Sequence, residues 1–285
     1  MEQSKRRSVL ITGASTGIGE ACVLMLVEKG FHVFAGVRKT QDGEALCQKA
    51  SGDLEYVILE VTDTGCIASA AEKVAKAVGD NGLYGLVNNA GIAVGGPLEF
   101  IPVEALRRQF DINVVGQVAV TQAFLPLLRN AKGRIVNIGS IGGRVATPFQ
   151  SPYNASKSAL ESITDSLRIE LHPWGIHVSI IEPGGIGTPI WEKSLAAFDE
   201  MSKEISPRMY DLYGSIIDGM RKYINKPRTV PPTLVAEVVA DALMSENPKE
   251  YYIVGKDARS LVLLAYLPAG LRDKLILRRL SGNVK

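Results

Sequence analysis

Histidine and cysteine are both scarce in this chain, with three of each among 285 residues. His32, His172 and His177 are too scattered to read as a metal set. His32 and His177 open strand-like runs, and His172 ends a helix-like stretch, where a cation is favoured. Cys22, Cys47 and Cys66 are an odd count without C-x-x-C spacing. No disulfide framework or thiolate metal site is expected from them, and they read as reduced thiols in a cytosol-like compartment. Long apolar runs are missing too, since none nears the roughly 18 residues that a membrane span needs. The opening "MEQSKRRSVLITG" enters a strand-like run too short for the apolar core of a secretory leader. The charges nearly cancel, at a net +2. That leaves no electrostatic case for nucleic acid, and Lys5-Arg6-Arg7 reads as solvated tail. A cytoplasmic protein is expected.

What the chain has is an ordinary globular balance, 46% hydrophobic and 22% charged, over a length that buries a sizeable core. Short Val/Ile-rich runs at 8–12, 32–37, 54–61, 84–90, 133–140, 177–183 and 251–255 read as strands. Helix-length stretches at 17–30, 64–79, 103–130, 151–172 and 232–245 alternate with them. Strands with little polar alternation belong in a sheet covered on both faces. The rhythm predicts an α/β, single-domain, doubly wound parallel sheet, Rossmann-like, with sites at the carboxyl ends of its strands. No repeat, low-complexity tract or linker divides residues 1–285. Residues 184–231 carry helix-forming pieces without a strand and read as a substrate-covering insertion. Residues 257–285 form a C-terminal extension, which Pro268 and Gly270 split into two short helices.

"VLITGASTGIGEA" places Gly13, Gly17 and Gly19 after the first strand and at the mouth of a helix. Residues without Cβ let backbone approach a pyrophosphate, and a helix N-terminus offers free N–H groups and a positive dipole end. Ser15 and Thr16 inside the turn are candidates for phosphate contacts. Further on, "SPYNASKSALES" sets Tyr153 four residues before Lys157. A phenol with a pKa near 10 is a poor base at neutral pH, and a cation held close lowers that pKa. Residues i and i+4 share a helix face, so Lys157 can sit beneath Tyr153.

These motifs resemble those of the short-chain dehydrogenase/reductase family. Its T-G-x-x-x-G-x-G stands here as Thr12 to Gly19, its N-N-A-G as Asn88 to Gly91, and its Y-x-x-x-K as Tyr153 to Lys157. Its serine thirteen residues before the tyrosine is Ser140, its helix asparagine is Asn113, and its P-G-x-x-x-T is Pro183, Gly184 and Thr188. The resemblance spans about residues 8–190 and, within the family, looks most like the hydroxysteroid and retinol dehydrogenase branch. It implies that Tyr153 is the acid/base, that Ser140 binds the reacting oxygen, that Lys157 tunes Tyr153 and holds a ribose, and that Asn113 anchors a water chain. Cofactor contacts are expected at Gly13, Ser15, Thr16, Gly17, Ile18, Gly19, Arg38, Glu60, Val61, Asn89, Ala90, Gly91, Tyr153, Lys157, Pro183, Gly184, Ile186 and Thr188, with no metal. Glu60 departs from the family's usual Asp.

In dinucleotide sites an acid about 20 residues past the glycine turn selects NAD. Here "VFAGVRKT" puts Val37 at that position, followed by Arg38 and Lys39, and a guanidinium binds a 2′-phosphate through paired, charge-assisted bonds. NADP(H) is therefore expected over NAD(H). Thr16, where many NADP-preferring relatives carry a second basic residue, argues for a moderate preference. The expected activity is alcohol/ketone or alcohol/aldehyde oxidoreduction on a small apolar substrate such as a steroid or retinoid. A 3-oxoacyl thioester reductase and a nucleotide-binding regulator without turnover are the alternatives. Basic residues of the insertion (Lys193, Lys203, Arg208, Arg221, Lys222) would suit the thioester. The resemblance also implies a homodimer or homotetramer built on the helices around 103–130 and 151–172, whose apolar residues Val118, Phe124, Leu160 and Leu167 exceed one core-facing stripe. The tail, with Leu261, Leu264, Leu271, Leu275 and Leu280 among Arg272, Lys274, Arg278 and Arg279, docks onto its own domain or a subunit interface, lines an apolar entrance, or makes peripheral membrane contact.

Overall fold

Val and Ile runs that cannot face water on either side become seven parallel strands. They are β1 (Ser8–Ile11), β2 (His32–Val37), β3 (Leu54–Ile58), β4 (Gly85–Asn88), β5 (Arg134–Ile138), β6 (His177–Pro183) and β7 (Tyr251–Val254). The computed structural model describes residues 7–203, 207–224 and 230–281. Lys5 and Arg6 lie outside the described residues, as do the side chains of Arg279 and Leu280. The sheet order is β3-β2-β1-β4-β5-β6-β7, every neighbouring pair parallel. Strand order reverses between β1 and β4, which opens a crevice at their carboxyl ends.

Successive side chains leave a strand on opposite faces, and the core divides accordingly. Val9, Ile11 and Val33 pack with Val23 and Leu26 of α1 (Gly17–Glu28) and Val239 and Leu243 of α9 (Pro232–Met244). Leu10, Phe34 and Leu86 pack on the other face with Val74 of α3 (Thr64–Val78) and Phe124 and Leu128 of α5 (Gly116–Ala131). The long amphipathic stretch at 103–130 is not one helix. It runs as α4 (Val103–Phe110), a π-helical turn at Asp111–Val115, and α5. By length and mean hydropathy this run could cross a membrane. Here Val120, Phe124 and Leu128 are buried against the sheet.

A helix that periodicity does not announce, α2 (Thr40–Lys49), buries only Gly43 and Leu46. A Cβ on Gly43 would lie 2.4 Å from the Tyr56 ring, so the glycine there is a packing requirement. Residues 184–231 hold α7 (Ile190–Ser202) and α8 (Arg208–Ile224), joined by a small core of Phe198, Met209 and Ile217. In line with the strandless reading, no strand falls here among the described residues, and Ile186 and Val230 form only an isolated parallel bridge. The tail forms α10 (Lys256–Ala265) and α11 (Ala269–Ser281), broken at Pro268. Ala258 is buried, but Leu263 and Tyr266 are 69% and 78% exposed.

The interface expectation needs correcting at two residues. Phe124 and Leu160 are fully buried in the protein's own core, so neither is available to a second copy. The apolar side chains that α6 (Ser151–Leu171) and the π-turn present to solvent are Ile169 and Val115.

Candidate active site

The glycine turn and the Asn88–Gly91 segment are fastened to each other at the crevice. Asn89 Nδ2 donates to the carbonyls of Thr12 (2.9 Å) and Gly13 (3.0 Å), while Thr12 Oγ1 accepts from the N–H groups of Asn89 and Ala90, each at 3.0 Å. Gly13 has φ +62°, and a Cβ there would lie 2.8 Å from Ala90 Cα. A Cβ on Gly19 would lie 2.3 Å from the Gly13 carbonyl oxygen. Gly19 therefore supports the turn from below instead of facing the crevice. No side chain caps the first turn of α1 at Thr16.

The crevice is a broad cleft. Gly13, Ser15, Thr16, Gly17 and Ile18 line one wall, and Val37, Arg38, Glu60 and Val61 another. Asn89, Ala90, Gly91, Ser140, Tyr153, Lys157, Pro183, Gly184, Ile186 and Thr188 also line it, as does Trp191. The side-chain-free cradle and the uncapped helix N-terminus fit a dinucleotide. Arg38 is 68% exposed at the rim, with its guanidinium 4.0 Å from the Glu60 carboxylate. Glu60 also accepts from the N–H (3.3 Å) and hydroxyl (3.1 Å) of Thr62, so its carboxylate already has partners within the protein. Among the described residues, no cluster of three or more His, Cys, Asp or Glu could hold a metal ion. His32 is buried between the Ser8 hydroxyl (3.1 Å) and Glu55 (3.0 Å), at the amino end of the sheet and away from the cleft.

Ser140 follows β5 and caps a short 3-10 turn, Ile141–Gly143, its Oγ accepting from Gly142 N–H at 3.0 Å. Tyr153 and Lys157 stand one turn apart on α6, both buried. Burial pushes the Tyr153 phenol up from its ordinary value, and a hydrogen bond with Ser140 pulls the other way. Burial draws the Lys157 ammonium down to about 8. Its Nζ lies 5.9 Å from the Tyr153 ring centroid and donates to the Ile138 carbonyl at 2.7 Å. The ammonium is turned to a backbone carbonyl and is itself desolvated, and Ser140 supplies the lowering.

Asn113 is fully buried and does not line the cleft. Its amide accepts from Ile92 N–H (2.9 Å) and donates to the Ile92 carbonyl (3.0 Å) and to Ser156 Oγ (3.1 Å). Those bonds make it one member of a row. Gln109 accepts from Val94 N–H (2.6 Å) and donates to the Ile92 carbonyl (2.8 Å). Gln117 donates to the Ala90 carbonyl (2.9 Å), and Thr121 Oγ1 accepts from Asn88 Nδ2 (2.9 Å). Every fourth residue of the α4–α5 run thus holds the extended segment behind the cleft wall.

Sequence reasoning did not single out Gln109 or Gln117, nor the ion pair of Arg144 and Glu182. Arg144 Nε donates to Glu182 Oε1 at 2.7 Å, with Glu161 3.6 Å away and the Tyr251 ring 4.7 Å below the guanidinium. This pair ties the turn after Ser140 to the end of β6, just before Pro183. The signal was present in "SIIEPGG", a charge inside a strand buried on both faces. A second, apolar cavity is walled by Val94, Pro97, Phe149, Trp191, Leu195 and Phe198, and the Trp191 ring also packs against Tyr153. No described residue of α10 or α11 lines either cavity, so the entrance-lining reading of the tail finds no support.

The family model of short chain dehydrogenases matches residues 7–198. The 17-beta-hydroxysteroid dehydrogenase type 6 of Bos taurus is 38% identical over 278 residues, covering 95% of this chain and 87% of that protein. The NADPH-dependent 3-dehydrocapnine reductase of Ornithobacterium rhinotracheale is 34% identical, covering 96% of this chain and 98% of that one. A short chain dehydrogenase from Burkholderia cenocepacia J2315, solved in complex with NADP, superposes with a TM-score of 0.71 at 27% identity over 95% of this chain and 98% of its own. With the parallel sheet, the glycine cradle and the serine–tyrosine–lysine group around one cleft, these likenesses settle the family: the chain belongs to the short-chain dehydrogenase/reductases and is an oxidoreductase acting on CH–OH groups.

Proposed function

We propose that the protein is a cytoplasmic, NADP(H)-dependent oxidoreductase interconverting a secondary alcohol and a ketone, or an alcohol and an aldehyde, on an apolar substrate such as a steroid or retinoid. The observation that carries this reading is the apolar cavity that shares Trp191 with the dinucleotide cleft, where the Trp191 ring packs against Tyr153. A substrate body enters the first while its oxygen reaches the boundary between the two. A bound nicotinamide dinucleotide supplies the hydride. Tyr153, kept protonated by burial, gives its proton to the substrate oxygen in reduction and takes it back as phenolate in oxidation. Ser140, its lone pair engaged by Gly142 N–H, directs its own proton outward and fixes that oxygen. Lys157 holds positive charge under the phenol and reaches the ribose edge of the cleft.

NADP(H) preference follows from Val37 and Arg38. No carboxylate at position 37 repels a 2′-phosphate, and the exposed guanidinium is free to turn from Glu60 toward one. The protein works as a homodimer or homotetramer, with Val115 and Ile169 among the apolar side chains that assembly would cover. The test is NADPH and NADH oxidation by the purified protein against steroid, retinoid, acyl-thioester and small ketone substrates, with product analysis. Equal kcat/KM for the two cofactors would sink the cofactor assignment, and turnover confined to acyl thioesters would sink the substrate class.

A further inference from the structure

Trp191 stands where the two cavities meet. Among the described residues it alone lines both, sharing the dinucleotide cleft with Thr188 and Tyr153 and the apolar cavity with Phe149, Leu195 and Phe198. Its ring meets that of Tyr153 edge-on, with centroids 5.5 Å apart and planes at 65°. The backbone leading to it is fixed at both ends, because Gly184 N–H donates to the Val254 carbonyl (2.9 Å) and Gly187 N–H to the Val230 carbonyl (2.9 Å). Lys193 N–H then donates to the Pro189 carbonyl (2.9 Å) and starts the first turn of α7. The indole is therefore a placed wall. A substrate whose oxygen lies at Tyr153 and whose body fills the apolar cavity has to run along it.

We propose that Trp191 is a specificity-determining residue of the reaction, favouring substrates with a flat, fused-ring apolar body over flexible chains of equal carbon count. The inference rests on the oxidoreductase reading above. A rigid ring system covers the indole face without freezing rotors, whereas a chain loses conformational freedom to make the same contact. The edge-on contact also steadies the Tyr153 phenol, an effect that every substrate shares. Discrimination consequently resides in the ratio between substrates and not in the absolute rate.

Two ketones with the same number of carbons, trans-1-decalone and 2-decanone, isolate that ratio. Trp191→Ala should lower kcat/KM for the fused-ring ketone relative to the chain by roughly tenfold, the scale on which apolar pockets discriminate. Trp191→Phe should keep most of the preference. An unchanged ratio in Trp191→Ala would overturn the proposal. The chain has two tryptophans, so Trp174→Phe leaves Trp191 as sole reporter. If the wild-type protein reduces neither ketone, the substrate class fails, and fluorescence of that variant decides the inference separately. A saturable emission shift with trans-1-decalone but not with 2-decanone supports it, and no shift with either ends it.

Discussion

Replacing Arg144 by Met should expose the cost of the charge beneath the active-site turns. Glu182 is 1% exposed, its Oε1 takes the Arg144 Nε–H at 2.7 Å, and its Oε2 has no hydrogen-bond partner among the described residues. Removing one member of a buried pair costs about 3–5 kcal/mol because the other charge is left unpaired. Arg144 keeps some contact with water, at 18% exposure, which favours the lower end of that range. With an unfolding entropy of about 2.1 cal/mol/K per residue, the melting temperature of a protein this long should drop by about 5–8 °C at pH 7. The pH dependence identifies the cause. Burial already raises the folded pKa of Glu182 from its ordinary 4.5, and losing Arg144 raises it further. An acid whose folded pKa exceeds its unfolded value makes the folded state bind more protons, so stability falls as pH climbs through that interval. Relative to wild type, Arg144→Met should lose little near pH 4.5 and progressively more toward pH 7. Adding Glu182→Gln should recover much of the loss. Differential scanning calorimetry across that range measures all three. A deficit that is flat with pH, or a double variant no more stable than the single, would refute the reasoning.

Other outcomes follow from the cleft. Tyr153→Phe should lower kcat by about 100-fold or more while leaving NADP(H) affinity, read by fluorescence titration, within about twofold, since it removes the transferable proton and little surface. Lys157→Ala should damage both quantities, and wild-type ketone reduction should decline above about pH 8, where Lys157 loses its proton. Val37→Asp should shift preference toward NAD(H) and Arg38→Ala should weaken NADP(H) selectively, both seen in the ratio of kcat/KM values. Deleting residues 259–285 should lower activity on bulky and small apolar substrates alike, because none of the tail's described residues lines either cavity. A selective loss on bulky ones would restore the entrance reading.

The sheet was legible because burial on both faces leaves an unbroken signature in runs such as "HVFAGV". The glycine turn was legible because a missing Cβ is itself a residue choice. Helix α2 was not, since a single Leu46 facing the core sets no period. Apolar excess on the long helices was read as subunit contact, but Phe124 and Leu160 satisfy it inside one chain. A pattern along one helix does not say which neighbour covers it. Arg144 and Glu182 are partners 38 residues apart, and nothing local to either predicts the other. The same holds for Asn113 and Ile92, whose pairing across 21 residues accompanies the break between α4 and α5.

That break has a geometric use. An α-helix turns about 40° too far with each four-residue step, so side chains at such intervals drift around the barrel like marks on mismatched rulers. Gln109, Asn113, Gln117 and Thr121 span three such steps, a drift of about 120° in an unbroken helix, enough to aim the last away from a straight strand. The wider π-turn at Asp111–Val115 takes up part of that excess partway along the row. The irregular turn thus acts as a phase corrector, letting a helix keep step with the extended chain from Asn88 to Val94. A substitution scheme that improved the helix by deleting its irregular turn would rotate Gln117 and Thr121 off their partners, and the dinucleotide wall would lose its backing while the helix itself grew stronger.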